Sequence, residues 1–184
     1  QGDDAVMDNL HVIVNGFRFD FGTGGLHGCI ASGYTESNND TIINDLDVSS
    51  MYPSIVISND LYPEHLSRIF CDIYRDVRNQ RFSYKKGTPE NAMLKLALNA
   101  AGFGDTNNTH SPFYDPKMTM SITVNGQLLL CMLAERLMLE IPSIKMIQAN
   151  TDGITVSMPR AAIADYTRIC KTWESQVGLE LEYV

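Results

Sequence analysis

Residues 41–53 read TIINDLDVSSMYP, and the order of these thirteen positions decides the architecture. Thr41 to Val48 is rich in β-branched and apolar side chains and is expected to be a buried strand. It runs directly into Ser49-Ser50-Met51-Tyr52-Pro53, which reads as a Tyr-Pro turn. Proline lacks a backbone N–H and restricts the residue before it, so the strand has to stop there. Asp47 is the last charged residue of the strand and stands at its end.

Working outward, the flanks supply more strands and several helices. Upstream, Val12, Val14, Phe17, Phe19 and Phe21 alternate within His11 to Phe21, a strand or a hairpin turning at Asn15-Gly16. A glycine-dense loop follows (Gly22, Gly24, Gly25, Gly28), then a polar turn segment from Ser32 to Asp40. Downstream, Ile69 to Lys86 reads as a helix with Phe70, Ile73, Tyr74 and Val77 on one side. Gly87-Thr88-Pro89 breaks it, and Glu90 to Ala101 restarts with Thr88 as N-cap. Ser121 to Glu140 is a long apolar helix stopped before Pro142. Lys145 to Ala149 and Ile154 to Met158 are short strands joined by Asn150-Thr151-Asp152-Gly153, a tight hairpin in which Gly153 is expected to supply a permissive dihedral. Arg160 to Val177 is a last helix and Leu179 to Val184 a last strand, while the polar first eight residues are expected to fray. Strands and helices mix without βαβ alternation, which predicts an α+β fold: a mostly antiparallel sheet backed by helices.

Composition sets limits on function. The 184 residues are 44% hydrophobic and 20% charged, which excludes a disordered tail or a collagen-like repeat. The apolar stretches fall short of the ~20 residues a bilayer requires, so no membrane partner is expected. A net charge of −8 argues against a surface that grips phosphate backbone everywhere, but leaves room for a local basic face or a carboxylate metal site. Cys29, Cys71, Cys131 and Cys170 are widely spaced with no Cys-x-x-Cys pair, and are expected to be reduced thiols of a cytoplasmic protein.

Two acidic positions carry candidate chemistry. Asp47 ends an apolar strand, and Asp152 sits at the tip of a hairpin flanked by Met146, Ile147, Ile154 and Val156. If the strands are neighbours, the two carboxylates can share divalent cations, and two ions about 4 Å apart form a clamp for in-line phosphoryl transfer. The spacing alone equally allows Asp47 to cap the next turn and Asp152 to be turn chemistry. Arg78, Arg81 and Lys85 fall at +3 and +7 along one expected helix, and Lys95 and Asn99 at i and i+4 along the next. Such a stripe is either a solvated face or a grip on a triphosphate.

Three segments, in order, resemble the catalytic core of family B DNA polymerases, especially the short bacteriophage-type members. Asp47-Val48-Ser49-Ser50-Met51-Tyr52-Pro53-Ser54-Ile55 is similar to motif A, DxxSLYPSI. Lys95 to Asn99, then Gly102-Phe103-Gly104, is similar to motif B, KxxxNSxYG, with Ala100 for serine, Phe103 for tyrosine and one extra residue before the aromatic-Gly pair. Asn150-Thr151-Asp152-Gly153 stands where motif C, DTDS, would lie, with Asn150 for its first aspartate and Gly153 for its serine. The glycine loop is similar to the Tyr-x-Gly-Gly segment that precedes motif A in related enzymes and touches template.

The resemblance implies roles. Asp47 and Asp152 would be the catalytic metal-ligating carboxylates, with the Val48 carbonyl as a further ligand for two Mg²⁺ ions, for which Mn²⁺ substitutes. Ser49, Ser50 and Met51 would meet the incoming triphosphate, and Tyr52 would lie under the sugar and reject a ribose 2′-OH. Arg81, Lys85, Lys95 and Asn99 would be nucleotide-binding residues of the fingers, and Gly24 and Gly25 would touch DNA. Residues 1–68 and 105–184 would form the palm and 69–104 the fingers, with the exonuclease and thumb of a parent polymerase outside this chain. The implied function is template-directed addition of dNTPs to a primer 3′-OH in DNA replication, with primer-template DNA and dNTP as partners, in the host cytoplasm if phage-encoded. Two alternatives stand beside it: a degenerate palm that binds nucleic acid or a replication partner without catalysis, and another palm-type nucleotidyltransferase.

Overall fold

The structure, a computed structural model, describes residues 10–183, so the expected fraying of residues 1–8 and the strand position of Val184 lie outside the described residues. The chain forms two compact units: one takes in the chain up to Ser49 and from Val124 onward, the other is Ser50–Thr123.

The first unit is built on a seven-stranded sheet, antiparallel at every pairing, so the expected α+β class holds. Its strands are β1 (His11–Val14), β2 (Phe17–Phe21), β3 (Leu26–Cys29), β4 (Thr41–Val48), β5 (Lys145–Ala149), β6 (Gly153–Pro159) and β7 (Leu181–Tyr183), in the spatial order β1-β2-β3-β5-β6-β4-β7. Asn15 and Gly16, both at positive φ (51° and 80°), turn β1 into β2 with Val14 opposite Phe17. This is the mirror-image turn whose twist matches that of the strands it joins. Phe17 and Phe19 are buried, whereas Val12 and Ile13 of the edge strand are exposed. β4 occupies the expected residues, but only Leu46 and Val48 are fully buried and the rest of the strand is half-buried.

Two helices complete the core of this unit. In α5 (Ile163–Val177), Tyr166, Ile169, Cys170 and Trp173 recur at helical spacing and are all buried. The Trp173 Nε1–H donates to the Leu129 carbonyl at 3.0 Å, which satisfies the one polar atom of the largest buried side chain. The second helix is α4 (Pro116–Glu140), which contributes Leu130, Leu133, Ala134 and Leu137 to the core. It starts five residues before the expected Ser121: Asp115 Oδ1 caps the Met118 N–H at 3.1 Å, and Pro116 occupies a first-turn position where no N–H is needed. The helix also corrects the reading of apolar stretches. At 25 residues α4 is long and apolar enough to cross a membrane by length and composition, with half of its most apolar part buried.

The second unit is helical, with α1 (Met51–Ser58), α2 (Ile69–Phe82), α3 (Pro89–Asn99) and the start of α4. Val56, Phe70, Tyr74, Leu98, Met118 and Ile122 form its core. The Tyr-Pro turn is a correction: Tyr52 and Pro53 lie in the first turn of α1, where a missing N–H costs nothing. α2 ends at Phe82 rather than Lys86, so Lys85 stands in the following turn and does not share a helix with Arg78 and Arg81. Ile73, expected on the apolar side, is exposed. Thr88 caps α3 as expected, accepting from the Asn91 N–H at 3.4 Å. The helix then passes at Asn99 into a π-helical turn over Ala100–Gly104.

Candidate functional site

The strand register brings the two acidic positions to one end of β4 and β6. Asp47 stands directly opposite Gly153, the residue that follows Asp152, and the Val48 N–H donates to the Asp152 carbonyl at 2.7 Å. The hairpin between β5 and β6 is closed by the Asn150 N–H on the Gly153 carbonyl at 2.8 Å, which leaves Thr151 and Asp152 as its two-residue loop. Asp47 is half-buried and Asp152 exposed.

Gly153 is required for a different reason from the one expected. Its φ is not positive; the constraint is space. A Cβ there would overlap Asp47 Oδ1 and lie 2.6 Å from the Leu46 carbonyl oxygen. The Asp47 carboxylate thus lies over the glycine, beside the hairpin that carries Asp152. The missing methyl is the cradle that admits it.

The glycine loop leans on the same hairpin. A Cβ at Gly25 would stand 2.7 Å from Thr151 Cγ2, so the loop packs against the residue next to Asp152, while Gly24 is exposed. Gln127, buried in α4, anchors the loop at Gly22: its Nε2 donates to the Gly22 carbonyl at 3.0 Å and its Oε1 accepts from the Gly22 N–H at 3.3 Å. The Ser49 N–H donates to the Glu180 carbonyl at 2.8 Å, tying the end of β4 to the start of β7.

That register exposes a residue that the sequence reading missed. Glu182 is the partner of Asp47 on β7, so its side chain leaves the sheet on the same face as that of Asp47. The alternation Leu179-Glu180-Leu181-Glu182 signals a strand with an acidic face, but only the pairing shows which acid meets Asp47. Asn150 accepts from Gln148 Nε2 at 3.0 Å and brings no charge.

Among the described residues no three His, Cys, Asp or Glu side chains converge into a metal cage. The donors on offer are the Asp47 and Asp152 carboxylates and the Val48 carbonyl. These are hard oxygens, and Mg²⁺ is typically held by one or two carboxylates with water and substrate phosphates completing its shell. In kind, these oxygens are the donors that Mg²⁺ takes.

The helical unit holds the other candidates in two groups. Ser50, the N-cap of α1, adopts the left-handed conformation (φ 47°, ψ 50°), and its hydroxyl accepts a hydrogen bond from Arg81 Nη1. One turn on, Ser54 Oγ accepts from Arg78 Nη2 at 3.1 Å. The Arg78 guanidinium also lies 4.7 Å from the centre of the Phe82 ring. Met51 is buried beneath this helix end. Arg81 is thus a buried, tethered cation rather than a member of a solvated row. Lys85, Lys95 and Asn99 form no such cluster: each is exposed, Lys85 in the turn after α2 and the others one helical turn apart on α3.

The Tyr52 and Phe103 rings meet at 5.3 Å between centroids, tilted by 36°. Phe103 reaches that position from within the π-helical turn. A π turn takes one residue more than an α turn. It therefore absorbs the extra residue that separates Asn99 from Phe103-Gly104 in the comparison with motif B. Thr106 Oγ1, at 3.1 and 3.0 Å from the Gly102 and Phe103 carbonyls, holds the turn together and accepts from Thr119 Oγ1 at 2.8 Å. A Cβ at Gly102 would overlap the Tyr74 hydroxyl, which donates to the Leu98 carbonyl at 2.7 Å.

No family model and no curated relative matches the chain. Among solved structures the chain is similar to that of the family B DNA polymerase from the hyperthermophilic archaeon Pyrobaculum calidifontis, at 18% identity and a TM-score of 0.47. The match takes in 84% of this chain and 26% of that one, so the chain spans about a quarter of that polymerase's length.

Proposed function

We propose that the chain is the catalytic core of a DNA-directed DNA polymerase of family B, adding dNTPs to a primer 3′-OH. The observation that carries this reading is the pairing of Asp47 with Gly153, which brings two strand-end carboxylates of motif-like segments to one end of the sheet. Asp47, Asp152 and the Val48 carbonyl would hold Mg²⁺, or Mn²⁺ in its place. The ions, when bound, would compensate phosphate charge and acidify the attacking hydroxyl.

The residues of the chain divide the remaining work. Ser49, Ser50 and Met51 would present backbone and side-chain groups to the triphosphate, and Arg81, Lys85, Lys95 and Asn99 would supply charge and hydrogen bonds to it. Tyr52, whose ring is backed by that of Phe103, would fill the space that a ribose 2′-OH needs. Gly24 and Gly25 present backbone to the template. The bacteriophage origin, the role in replication and the cytoplasmic setting belong to the same proposal, as do the exonuclease and thumb of a parent enzyme.

The test is nucleotide-dependent Mn²⁺ binding, followed by electron paramagnetic resonance with dATP present. Wild type should bind Mn²⁺, and Asp47→Asn and Asp152→Asn should each weaken binding at least about tenfold, the loss expected on removing a charged ligand. Unchanged binding in both variants refutes the two-carboxylate site. Binding without primer extension by the parent enzyme would favour the degenerate palm, for which the uncharged Asn150 is the motive.

A further inference from the structure

Asn91 lies in the first turn of α3 and is only 6% exposed, and its side chain reaches back to Arg81 in the last turn of α2 and to Tyr84 just after it. Nδ2 donates to the Arg81 carbonyl at 3.1 Å and to the Tyr84 carbonyl at 3.0 Å. The Arg81 carbonyl lies in the last turn of α2, where it also accepts from the Tyr84 N–H at 3.1 Å, and Tyr84 itself stands just beyond the helix end. Oδ1 faces Arg81 Nε at 3.5 Å, a long contact that still gives the guanidinium its acceptor on that edge. One amide thus grips Arg81 twice, by its main chain and by its side chain.

The grip sets the plane of a functional group. Arg81 is 8% exposed, with Nη1 on the Ser50 hydroxyl and the guanidinium carbon 5.9 Å from the centre of the Phe82 ring. A guanidinium is planar and its five N–H donors keep fixed directions. With Nε directed to Asn91 and Nη1 to Ser50, the plane and the directions of the remaining donors follow. Neither the sequence pattern nor the resemblance to motif B singles out Asn91.

We propose that Asn91 is a positioning residue that orients the Arg81 guanidinium toward a triphosphate bound beside Ser50. The proposal rests on the reading of Arg81 as a triphosphate ligand. A plain helix clamp needs only Nδ2, whereas positioning also needs the Oδ1 acceptor. The two roles are therefore separable by substitution. Asn91→Leu keeps the bulk and loses both functions, and Asn91→Asp keeps an acceptor for Arg81 while losing the donor to the carbonyls.

The test is a double-mutant cycle on the 184-residue chain, with inorganic tripolyphosphate and dATP titrated calorimetrically at fixed Mg²⁺. Asn91→Leu should weaken tripolyphosphate binding about tenfold, the scale of one hydrogen bond to a charged group. Arg81→Lys, which keeps charge but not the planar fork, should weaken it similarly, and the double variant should be no weaker than Arg81→Lys alone. Asn91→Asp should lower the urea midpoint yet retain most of the affinity. If Asn91→Leu fails to fold, Asn91→Asp takes its place in the cycle, and affinity lost in step with stability overturns the proposal. Effects that multiply in the double variant, or an Asn91→Leu that lowers only the urea midpoint, reduce Asn91 to a clamp and also overturn it. If wild type binds no tripolyphosphate, or Arg81→Lys binds as wild type does, the reading of Arg81 is what fails, and the proposal falls with it.

Discussion

Replacing Gly153 with alanine puts a methyl group into the space that the Asp47 carboxylate occupies. The new Cβ would overlap Asp47 Oδ1, lie 2.6 Å from the Leu46 carbonyl oxygen and stand 3.3 Å from the Asp47 Cα. The first of these contacts can be relieved by rotating the carboxylate away. The second is with backbone, so β4 and β6 have to separate at the position where they pair. Overpacking of this kind costs about 1–3 kcal/mol, and a backbone contact puts the cost near the upper end. With a urea slope of about 2 kcal/mol per molar, the unfolding midpoint should fall by about 1 M or more. Mn²⁺ affinity in the presence of dATP should fall with it, because the displaced carboxylate is the proposed ligand. Gly153→Ser should behave like the alanine variant, since serine carries the same Cβ. Urea titrations followed by circular dichroism and Mn²⁺ titrations followed by magnetic resonance read the two effects. An alanine variant with the wild-type midpoint and wild-type Mn²⁺ binding would show that the carboxylate does not depend on this glycine.

Three further predictions concern the Tyr52–Phe103 ring pair and the cysteine thiols. Phe103→Ala removes the ring that the π turn brings against Tyr52; ribonucleotide discrimination should then weaken, and discrimination at the wild-type level would refute the support assigned to that ring pair. Burial pushes the Cys131 and Cys170 thiols up to about 11 from the ordinary 9.0. The folded chain then keeps protons that the unfolded chain loses, so this stabilisation is complete below pH 9 and disappears as pH rises toward 11. Cys170 alone would account for roughly 2–3 kcal/mol of that loss. Urea midpoints at pH 8 and 10.5 should therefore differ, and iodoacetamide should modify exposed Cys29 well before buried Cys170.

How much of this was legible in the sequence depended on how local each feature is. β4, the Asn15-Gly16 turn, the Thr88 cap and the hairpin around Asp152 are set by neighbouring residues, and they stand close to where the sequence placed them. α1 was hidden because a Tyr-Pro pair reads as a turn until the chain before it is known to end a strand, which puts the proline in a first helical turn. The early stop of α2 removed Lys85 from the expected row of cations, and burial made Arg81 a tethered group. Glu182, Gln127 and Asn91 owe their places to pairings and packing that no single-strand or single-helix pattern encodes.

The register that joins Asp47 to Gly153 also bears on how the chain folds. Its two residues lie about a hundred positions apart, and the Ser50–Thr123 unit, with its own core, occupies most of the interval. Closing a flexible loop costs an entropy that grows with the logarithm of its length. The helical unit can collapse from short-range contacts, and once it has done so, less loose chain remains for β4 and β6 to draw together. Non-local strand pairing is slow, so the sheet centre should be the late step of folding. The carboxylates would then come together after most of the chain has found its place, and a partly folded molecule would be one without a site.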